Sequence, residues 1–164
     1  MKLKSLTLSV LTFFVIWVLL NNSLSGEVVM MGAILSVAIA LIFCKACNLF
    51  NDIKLNPRAL WHWFLFFIVF LFELVKANLD VARRVISPKL PINPGIVEVK
   101  TKLTSQLGRM ILANSITLTP GTFTVELSGD RIFIHWIDVK GKNIEEATDL
   151  IVRKFEKHLE VIYG

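Results

Sequence analysis

The segment TFTVELSGDRIFIHWID, residues 122–138, contains two apolar runs separated by a Gly-Asp pair at 129–130. In the first run Phe123, Val125 and Leu127 alternate with polar residues, which is the period of a β-strand. A Gly-X pair suits a two-residue hairpin turn. The second run is apolar on both faces, so we expect it to lie inside the sheet and to be covered on its second face. The segment therefore predicts an antiparallel hairpin at the centre of a small domain.

A strand and a helix are expected before the hairpin. Residues 97–103 alternate between apolar and charged side chains, which is the period of a half-buried strand. Apolar residues then recur at helical spacing, which predicts a helix over residues 105–115. The inner stripe of that helix is expected to be Leu107, Met110, Ile111 and Asn114.

A single helix is expected after the hairpin. Asn143 with Glu146 resembles a helix-capping pair, and an apolar stripe follows it. The predicted order is thus βαββα, a small α+β domain over residues 96–164. A core of about 70 residues is marginal alone, so we expect the domain to lean on a membrane or on partners. The predicted stripe consists of Ala147, Leu150, Ile151, Phe155 and Leu159.

The first half of the chain is dominated by apolar segments. Apolar residues make up 54% of the 164 residues and charged residues 19%. A helix needs about 20 apolar residues to cross a bilayer core. The pattern indicates a membrane protein with a transmembrane region over residues 1–86, formed by a short helical hairpin and a third long helix. The predicted helices are at about 5–21, 28–44 and 59–86.

Aromatic residues and prolines mark the ends of the third helix. Tryptophan and phenylalanine are concentrated near its start, where a membrane-interface belt would lie. Three prolines and one glycine within residues 87–95 are incompatible with a helix or a central strand. We interpret that stretch as a linker of limited flexibility.

The net charge of +5 is concentrated next to the apolar half. Residues 76–109 carry a surplus of five positive charges, whereas the rest of the C-terminal half is slightly acidic. This distribution suits the surface of a bilayer with anionic headgroups. No aromatic-studded basic sheet or recognition helix accompanies it, so nucleic acid is not an expected partner. The basic residues closest to the apolar segment are Lys76, Arg83, Arg84 and Lys89.

Glu73 is the ionisable residue of greatest interest, because it lies near the end of the third apolar segment. A carboxylate inside a helical bundle is a candidate for handling protons or cations. A Glu at the membrane interface, paired with Lys76 three residues later, is the alternative. Glu73 is therefore a candidate for an ion path or for an interface.

A threonine-rich stretch, ANSITLTPGTFTVEL at residues 113–127, precedes the hairpin. It has one glycine and no lysine, and it leads into a strand, so it does not match a nucleotide-binding loop. Pro120 followed by Gly121 predicts a type II turn from Thr119 to Thr122. The hydroxyls, including that of Thr117, are left to cap helix carbonyls or to face a partner.

The remaining chemistry-bearing residues do not form a site that we can identify. Cys44 and Cys47 have the spacing of a redox couple or of half a metal site, but no second cysteine pair completes one. His62, His135 and His158 are interpreted as packing or surface residues. No nucleophile elbow or metalloprotease motif is present. We therefore expect no enzyme activity, no cofactor and no bound metal.

Four segments together resemble a known family. NLDVARRVI, PINPGIVEVKTKL, GRMILANSITLTPGTFTVEL and IFIHWID occur in this order between residues 78 and 138. They are similar to the E-type component of the Mrp-type multisubunit Na⁺/H⁺ antiporter, the MnhE family, and SITLTPGT is the most specific part. The chain has Ser105 and Gln106 where the family often has an acidic residue, which argues against a charge-based contact there.

The resemblance implies an accessory or structural subunit of a multisubunit cation/proton antiporter in the bacterial plasma membrane, with a cytoplasmic C-terminal domain. The other subunits would be its partners and would hold the ion paths. A membrane-anchored module that binds a small ligand or anionic lipid is the alternative function. With the resemblance, the surplus of hydroxyls suggests a subunit-contact motif or a contact with the domain's own helical root. The motif consists of Thr117, Thr119, Pro120, Gly121 and Thr122.

Overall fold

The computed structural model describes residues 3–42 and 52–164. Cys44, Cys47 and the end of the predicted second helix lie outside the described residues. In chain order the helices and strands are α1 (Leu3–Asn21), α2 (Gly26–Ile42), α3 (Pro57–Ile86), β1 (Gly95–Lys100), α4 (Gln106–Leu118), β2 (Thr122–Ser128), β3 (Arg131–Trp136), α5 (Ile144–Ile151) and α6 (Arg153–Tyr163).

The chain forms two compact units, Met1–Ile53 and Lys54–Gly164. The long helix α3 lies in the second unit, together with the α+β domain. The sequence pattern instead groups this helix with the hairpin, in a region that ends at residue 86. The structure differs because α3 packs against α6, so the proline-rich stretch connects two parts of one unit.

The first unit is a helical hairpin, as predicted. Gly32, Ser36 and Ala40 recur every four residues on α2 and are buried. Such small side chains let two helix backbones approach each other closely. Trp17 of α1 donates a hydrogen bond from Nε1 to the carbonyl oxygen of Val28 at 3.0 Å. A Cβ placed at Gly32 would clash with the indole ring of Trp17, so Gly32 provides room for the tryptophan of α1.

Within residues 3–42 and 52–164, no helix combines the length and the apolarity that crossing a membrane requires. The expected membrane-spanning helices are not confirmed there.

The second unit contains a three-stranded antiparallel sheet in the order β1-β3-β2. The predicted central position of the second hairpin strand, β3, is therefore confirmed. Ile132 and Ile134 point into the core and have no exposed surface. The expected cover over the second face of β3 is absent among the described residues, because Ile96 is 65% exposed and Phe123 is 56% exposed on that face. One face of the sheet is open.

A β-bulge corrects the predicted alternation in β2. Phe123 pairs with His135, and Leu127 pairs with Ile132, but the register shifts between Thr124 and Glu126. The extra residue reverses the faces of the residues that follow it. Phe123 and Leu127 therefore lie on opposite faces of the sheet, although strict alternation predicts the same face for both.

Helices α4, α5 and α6 cover the core face of the sheet, and α4 does so with a different stripe from the predicted one. Leu107 is half-buried and Met110 is 45% exposed, whereas Gly108 and Ser115 are buried with Leu112. A Cβ placed at Gly108 would lie 3.0 Å from the Cβ of Tyr163 on α6. The small residues were missed because they are not apolar, yet they allow α6 to approach.

The predicted last helix is divided into α5 and α6 at Val152. Asn143 caps α5 by accepting a hydrogen bond from the backbone N–H of Glu146 at 2.8 Å, as the sequence predicts. Val152 has no exposed surface and fills the core where the two helices meet. Leu150 belongs to the predicted stripe but is 50% exposed, because α5 turns Ala147, Thr148 and Ile151 towards the core instead.

The turn between α4 and β2 has the geometry that Pro120 and Gly121 predict. Gly121 has a φ of +89°, and the N–H of Thr122 donates to the carbonyl oxygen of Thr119 at 3.2 Å. A Cβ placed at Gly121 would lie 3.0 Å from Cγ2 of Ile137. It would also lie 3.7 Å from Cγ2 of Val81 on α3. The turn therefore needs glycine both for its conformation and for its contact with neighbouring residues.

Gly121→Ala should destabilise the unit more than Gly129→Ala does. Both glycines have positive φ, but no atom lies within 4 Å of a Cβ placed at Gly129. The backbone conformation should cost about 1 kcal/mol at either position, and crowding should add about 1 kcal/mol more at Gly121. Chemical denaturation of the full chain measures the difference, and equal losses would contradict the crowding.

Candidate functional site

Helix α3 buries an aromatic face against α6. Trp63, Phe66 and Phe70 are three or four residues apart, so they lie on one side of the helix. The rings of Phe66 and Phe70 lie 6.2 Å and 6.5 Å from that of Phe155, centroid to centroid. Trp63 lies 5.9 Å from Tyr163. The aromatic residues predicted as an interfacial belt thus lie on two sides of α3. Trp63, Phe66 and Phe70 form an apolar core between α3 and α6.

The other side of α3 is apolar and exposed. Trp61, Phe64 and Phe67 are each more than half exposed, at 58%, 54% and 56%. Phe72 is 66% exposed. Helix α3 is thus apolar on two sides. The described residues of the second unit cover one side and leave the other exposed.

Glu73 lies on the covered side of α3, beyond the aromatic residues. Its side chain is 16% exposed and is bonded to Lys154 of α6, with Nζ 2.6 Å from Oε2. Lys76, the partner expected from the sequence, is 3.9 Å away and 67% exposed. The closer ion pair joins α3 to α6. No sequence signal indicated Lys154, which lies 81 residues away along the chain.

Arg84 joins α3 to the linker and to the end of β3. Its Nε donates to Asp80 at 2.7 Å, and its Nη2 donates to Asp138 at 2.9 Å. Nη1 donates to the carbonyl oxygen of Pro91. The side chain is only 10% exposed. Arg84 is therefore an internal clamp, not the lipid-facing residue that the sequence suggested.

The other three basic residues of the predicted juxtamembrane group keep their exposure. Lys76, Arg83 and Lys89 are exposed, so they are available to an anionic surface or to a partner. Arg83 is adjacent to Arg84 on the helix but is exposed, and the three hydrogen bonds of the clamp are made by Arg84. Arg84 thus serves an internal contact, and the juxtamembrane role of the other three stays a prediction.

The threonine hydroxyls are used inside the domain. Thr119 donates to the carbonyl oxygen of Ser115 at 2.8 Å, and Thr122 donates to that of Ile116 at 2.7 Å. Thr117 accepts from the backbone N–H of Thr124 at 3.1 Å. These bonds satisfy carbonyls at the end of α4 and fasten the start of β2. The hydroxyls therefore supply helix capping, and the contact of this motif with another subunit stays a prediction.

A cavity of about 460 Å³ lies between α3 and the threonine-rich turn. Most of the residues singled out in the sequence line it, whereas Thr117 and Lys89 do not. Its charged residues are largely paired with one another through the Glu73 and Arg84 bonds. The predicted residues in the lining are Glu73, Lys76, Arg83, Arg84, Thr119, Pro120, Gly121 and Thr122, and those that the sequence did not reveal are Asp80, Asp138, Lys140 and Lys154.

The three histidines have different surroundings. His135 is exposed on the open face of the sheet, whereas His158 of α6 is 7% exposed and lies against His62 of α3. In residues 3–42 and 52–164, no cluster of three or more His, Cys, Asp or Glu side chains could hold a metal ion. The ion pairs of Glu73 and Arg84 can hold α3 against the domain. In these pairs the charged groups bind one another rather than a substrate.

The structure defines a class of protein in which apolar helices precede a small α+β domain. Two charged residues with little exposure, Glu73 and Arg84, bind other residues of the same chain. The chain belongs to the MNHE family, described as Na⁺/H⁺ ion antiporter subunit, whose model matches residues 10–162. The antiport and sodium-transport functions of that family agree with the resemblance found in the sequence. Membership also supports a location at the plasma membrane.

Two curated relatives are similar over most of their length. The E-type component of the Na⁺/H⁺ antiporter of Alkalihalophilus pseudofirmus is 37% identical over 147 residues, covering 87% of this chain and 90% of the relative. The protein of the same name from Bacillus subtilis is 35% identical over 153 residues, covering 89% and 90%. Both relatives are named as subunits of a Na⁺/H⁺ antiporter.

A solved structure is also similar. A chain in the membrane-bound sulfane sulfur reductase, an archaeal respiratory membrane complex, has a TM-score of 0.85 and 43% sequence identity. The match covers 98% of this chain and 100% of that chain. The same fold is thus present in a respiratory complex.

Arg84→Met should lower the free energy of unfolding by about 3 kcal/mol, because it leaves Asp138 without its closest cation in a half-buried position. Arg83→Met is the matched control and should change it by less than about 0.5 kcal/mol, because Arg83 is exposed. Chemical denaturation of the full chain measures both. A similar loss in the two variants would contradict the clamp.

Proposed function

We propose that this chain is an accessory, structural subunit of a multisubunit cation/proton antiporter. It would support the assembly of a complex that exports monovalent cations, Na⁺ among them, in exchange for protons. The observation that carries the proposal is the family match over residues 10–162, with relatives of nearly the same extent that are named as the E-type component of such antiporters.

The exposed side of α3 supports a place inside a larger assembly. Apolar residues there, such as Phe64, Phe67 and Phe72, are more than half exposed. Apolar surface of this extent is unfavourable in water and is typical of contacts with other subunits or with lipid. We infer that this side contacts sister subunits and the bilayer, while the opposite side holds the domain.

We infer a cytoplasmic position for the C-terminal domain. The basic residues Lys76, Arg83 and Lys89 are exposed at the end of α3 and in the linker. Lys54 and Arg58 lie at the opposite end of α3, so the basic residues are nearly balanced between its two ends. The family resemblance, which implies a cytoplasmic C-terminal domain, is therefore the main support for this inference. This orientation would also place the domain where anionic headgroups are available.

A second candidate is a subunit of a respiratory membrane complex. The observation that favours it is the 43% identity to a chain of the sulfane sulfur reductase complex, over the full length of that chain. Both candidates give the chain the same role, that of an accessory subunit. They differ in the machinery that accompanies it.

Purification of the tagged chain from its native membrane in mild detergent separates the two candidates. We expect other antiporter subunits to be recovered with the chain, and antiport by membrane vesicles should be lost when its gene is deleted. Recovery of redox subunits with sulfane sulfur reductase activity would instead support the respiratory complex. Antiport by the chain reconstituted alone would contradict an accessory role.

The alternative, a membrane-anchored binding module, would use the cavity to hold a small ligand or an anionic headgroup. The least exposed charged side chains of the cavity, Glu73 and Arg84, are bonded to residues that also line it. No buried charge of this pair is left for a ligand. For that reason we favour the subunit role.

We propose that Glu73 acts at the α3–α6 interface rather than in an ion path. Its bond to Lys154 supports this, since the two side chains neutralise each other. Glu73→Gln should then lower the stability of the full chain by about 1 kcal/mol and leave antiport by the assembled complex unchanged. Lys76→Gln is the control, with little effect on either quantity. Loss of antiport in an assembled Glu73→Gln complex would instead assign Glu73 to the ion path.

A further inference from the structure

Two histidines meet in the interface between α3 and α6. Nδ1 of His62 and Nδ1 of His158 are 3.3 Å apart, and the ring centroids are 5.4 Å apart. His158 is 7% exposed, and His62 is half-buried. Trp63 follows His62 on α3, and Tyr163 lies five residues after His158 on α6. The rings of Trp63 and Tyr163 pack against each other. The pair thus lies beside the aromatic core.

The geometry suits neutral rings and disfavours charged ones. One Nδ1 must carry a proton and donate it to the other, which must be unprotonated. Nε2 of His158 is buried, and no described residue bonds to it. In a protonated His158 the Nε2–H group would therefore have no acceptor. The Nδ1–H group would have an acceptor only while Nδ1 of His62 is unprotonated. Protonation of both rings would bring two cations together in a dry interface.

The surrounding charges do not compensate for a positive His158. Burial lowers the pKa of His158 below its usual value of 6.5, and electrostatic interactions with Lys157 and with the neighbouring ring of His62 lower it further. On α3, Glu73 is bonded to Lys154. On α6 itself, Glu156 accepts hydrogen bonds from Thr101 and Lys102.

The other two helices that contact α6 offer no free counter-charge at the pair. Helix α4 contains no Asp or Glu, and Arg109 is its single charged residue. On α5, Asp149 is paired with Arg153, and Glu146 accepts from the N–H of Lys142. On α3, Asp80 is paired with Arg84. Further titratable residues on the surrounding helices are Arg58, Lys76 and Arg83 on α3, Glu145 on α5, and Glu160 and Tyr163 on α6.

We propose that His62 and His158 form a proton-sensitive latch, which holds α6 against α3 at neutral pH and releases it as the pH falls. The neutral pair stabilises the closed interface by a hydrogen bond and by packing. A first proton places charge among aromatic rings, and a second proton removes the acceptor and leaves two cations in contact. The open arrangement, in which water reaches both rings, therefore gains population.

The direction of the pH dependence follows from the lowered pKa of His158. The open state binds protons more readily than the closed state, so the closed state is at full stability above the ordinary histidine value of about 6.5. Its stability is lost as the pH falls from there towards the lowered pKa. Acidification therefore opens the latch.

Amide hydrogen exchange on the full chain in detergent tests the latch. We compare pH 7.5 with pH 5.5, after correction for intrinsic exchange rates. Protection of residues 153–163 should fall, by up to about tenfold, because pH 5.5 lies about one unit below the ordinary pKa of histidine. His158→Phe keeps an aromatic ring but cannot be protonated, so its protection should change much less. Unchanged protection in the unsubstituted chain, or an undiminished fall in His158→Phe, would overturn the latch.

His135→Gln is the matched control, because His135 is exposed on the open face of the sheet. Its fall in protection should equal that of the unsubstituted chain, and abolition of the fall would overturn the assignment to the pair. Imidazole hydrogen exchange on the unsubstituted chain gives a check that needs no buried substitution. A pKa of His158 at or above about 6.5 would contradict the proposal.

The effect on ion exchange rests on the proposed function. In that case antiport by the complex that carries His158→Phe should keep its activity at a lower pH than the unsubstituted complex does. The exchange experiment on the chain alone does not depend on antiport, so failure of the latch and failure of the proposed function are distinguishable.

Discussion

The contact between α3 and α6 is the interaction on which the second unit depends. A sheet of three strands with helices on one face has little apolar surface to bury, and a domain of this size is marginal by itself. Phe66 and Phe70 of α3 extend the core beyond Phe155 of α6. The ion pairs at Glu73 and Arg84 then fix how α3 lies against the domain. Apolar burial stabilises the contact, and the paired charges determine its register.

Much of the domain could be predicted because the relevant signals are local. Positive φ at Gly121, the cap at Asn143 and the central place of β3 each depend on a few neighbouring residues. The bulge in β2 was not predictable from alternation, since one extra residue leaves the apolar pattern intact while it reverses the faces. The stripe of α4 was misassigned because Gly108 and Ser115 contribute by being small.

The cavity illustrates the limit of local reasoning about a site. Glu73, the basic residues and the threonine-rich turn were each identified, yet nothing in the sequence indicated that they would lie together. Their partners are far along the chain, with Lys154 81 residues from Glu73 and Asp138 54 residues from Arg84. The hydroxyls looked like a surplus for a related reason, since the carbonyls that Thr119 and Thr122 satisfy become visible only with the end of α4 in place.

Because α3 belongs to the second unit, the segment that could be exchanged between proteins as one folded domain must include this helix. The prolines of residues 87–95 look like a natural joint at which a domain could be exchanged between chains. A domain transferred from that joint would leave behind the helix that covers Phe155 and Tyr163. The transferable module instead begins at Lys54, two residues before Asn56, whose side chain caps the start of α3. Recombination within this family should therefore preserve the helix and the domain together, and the hairpin before them is the part that can be replaced.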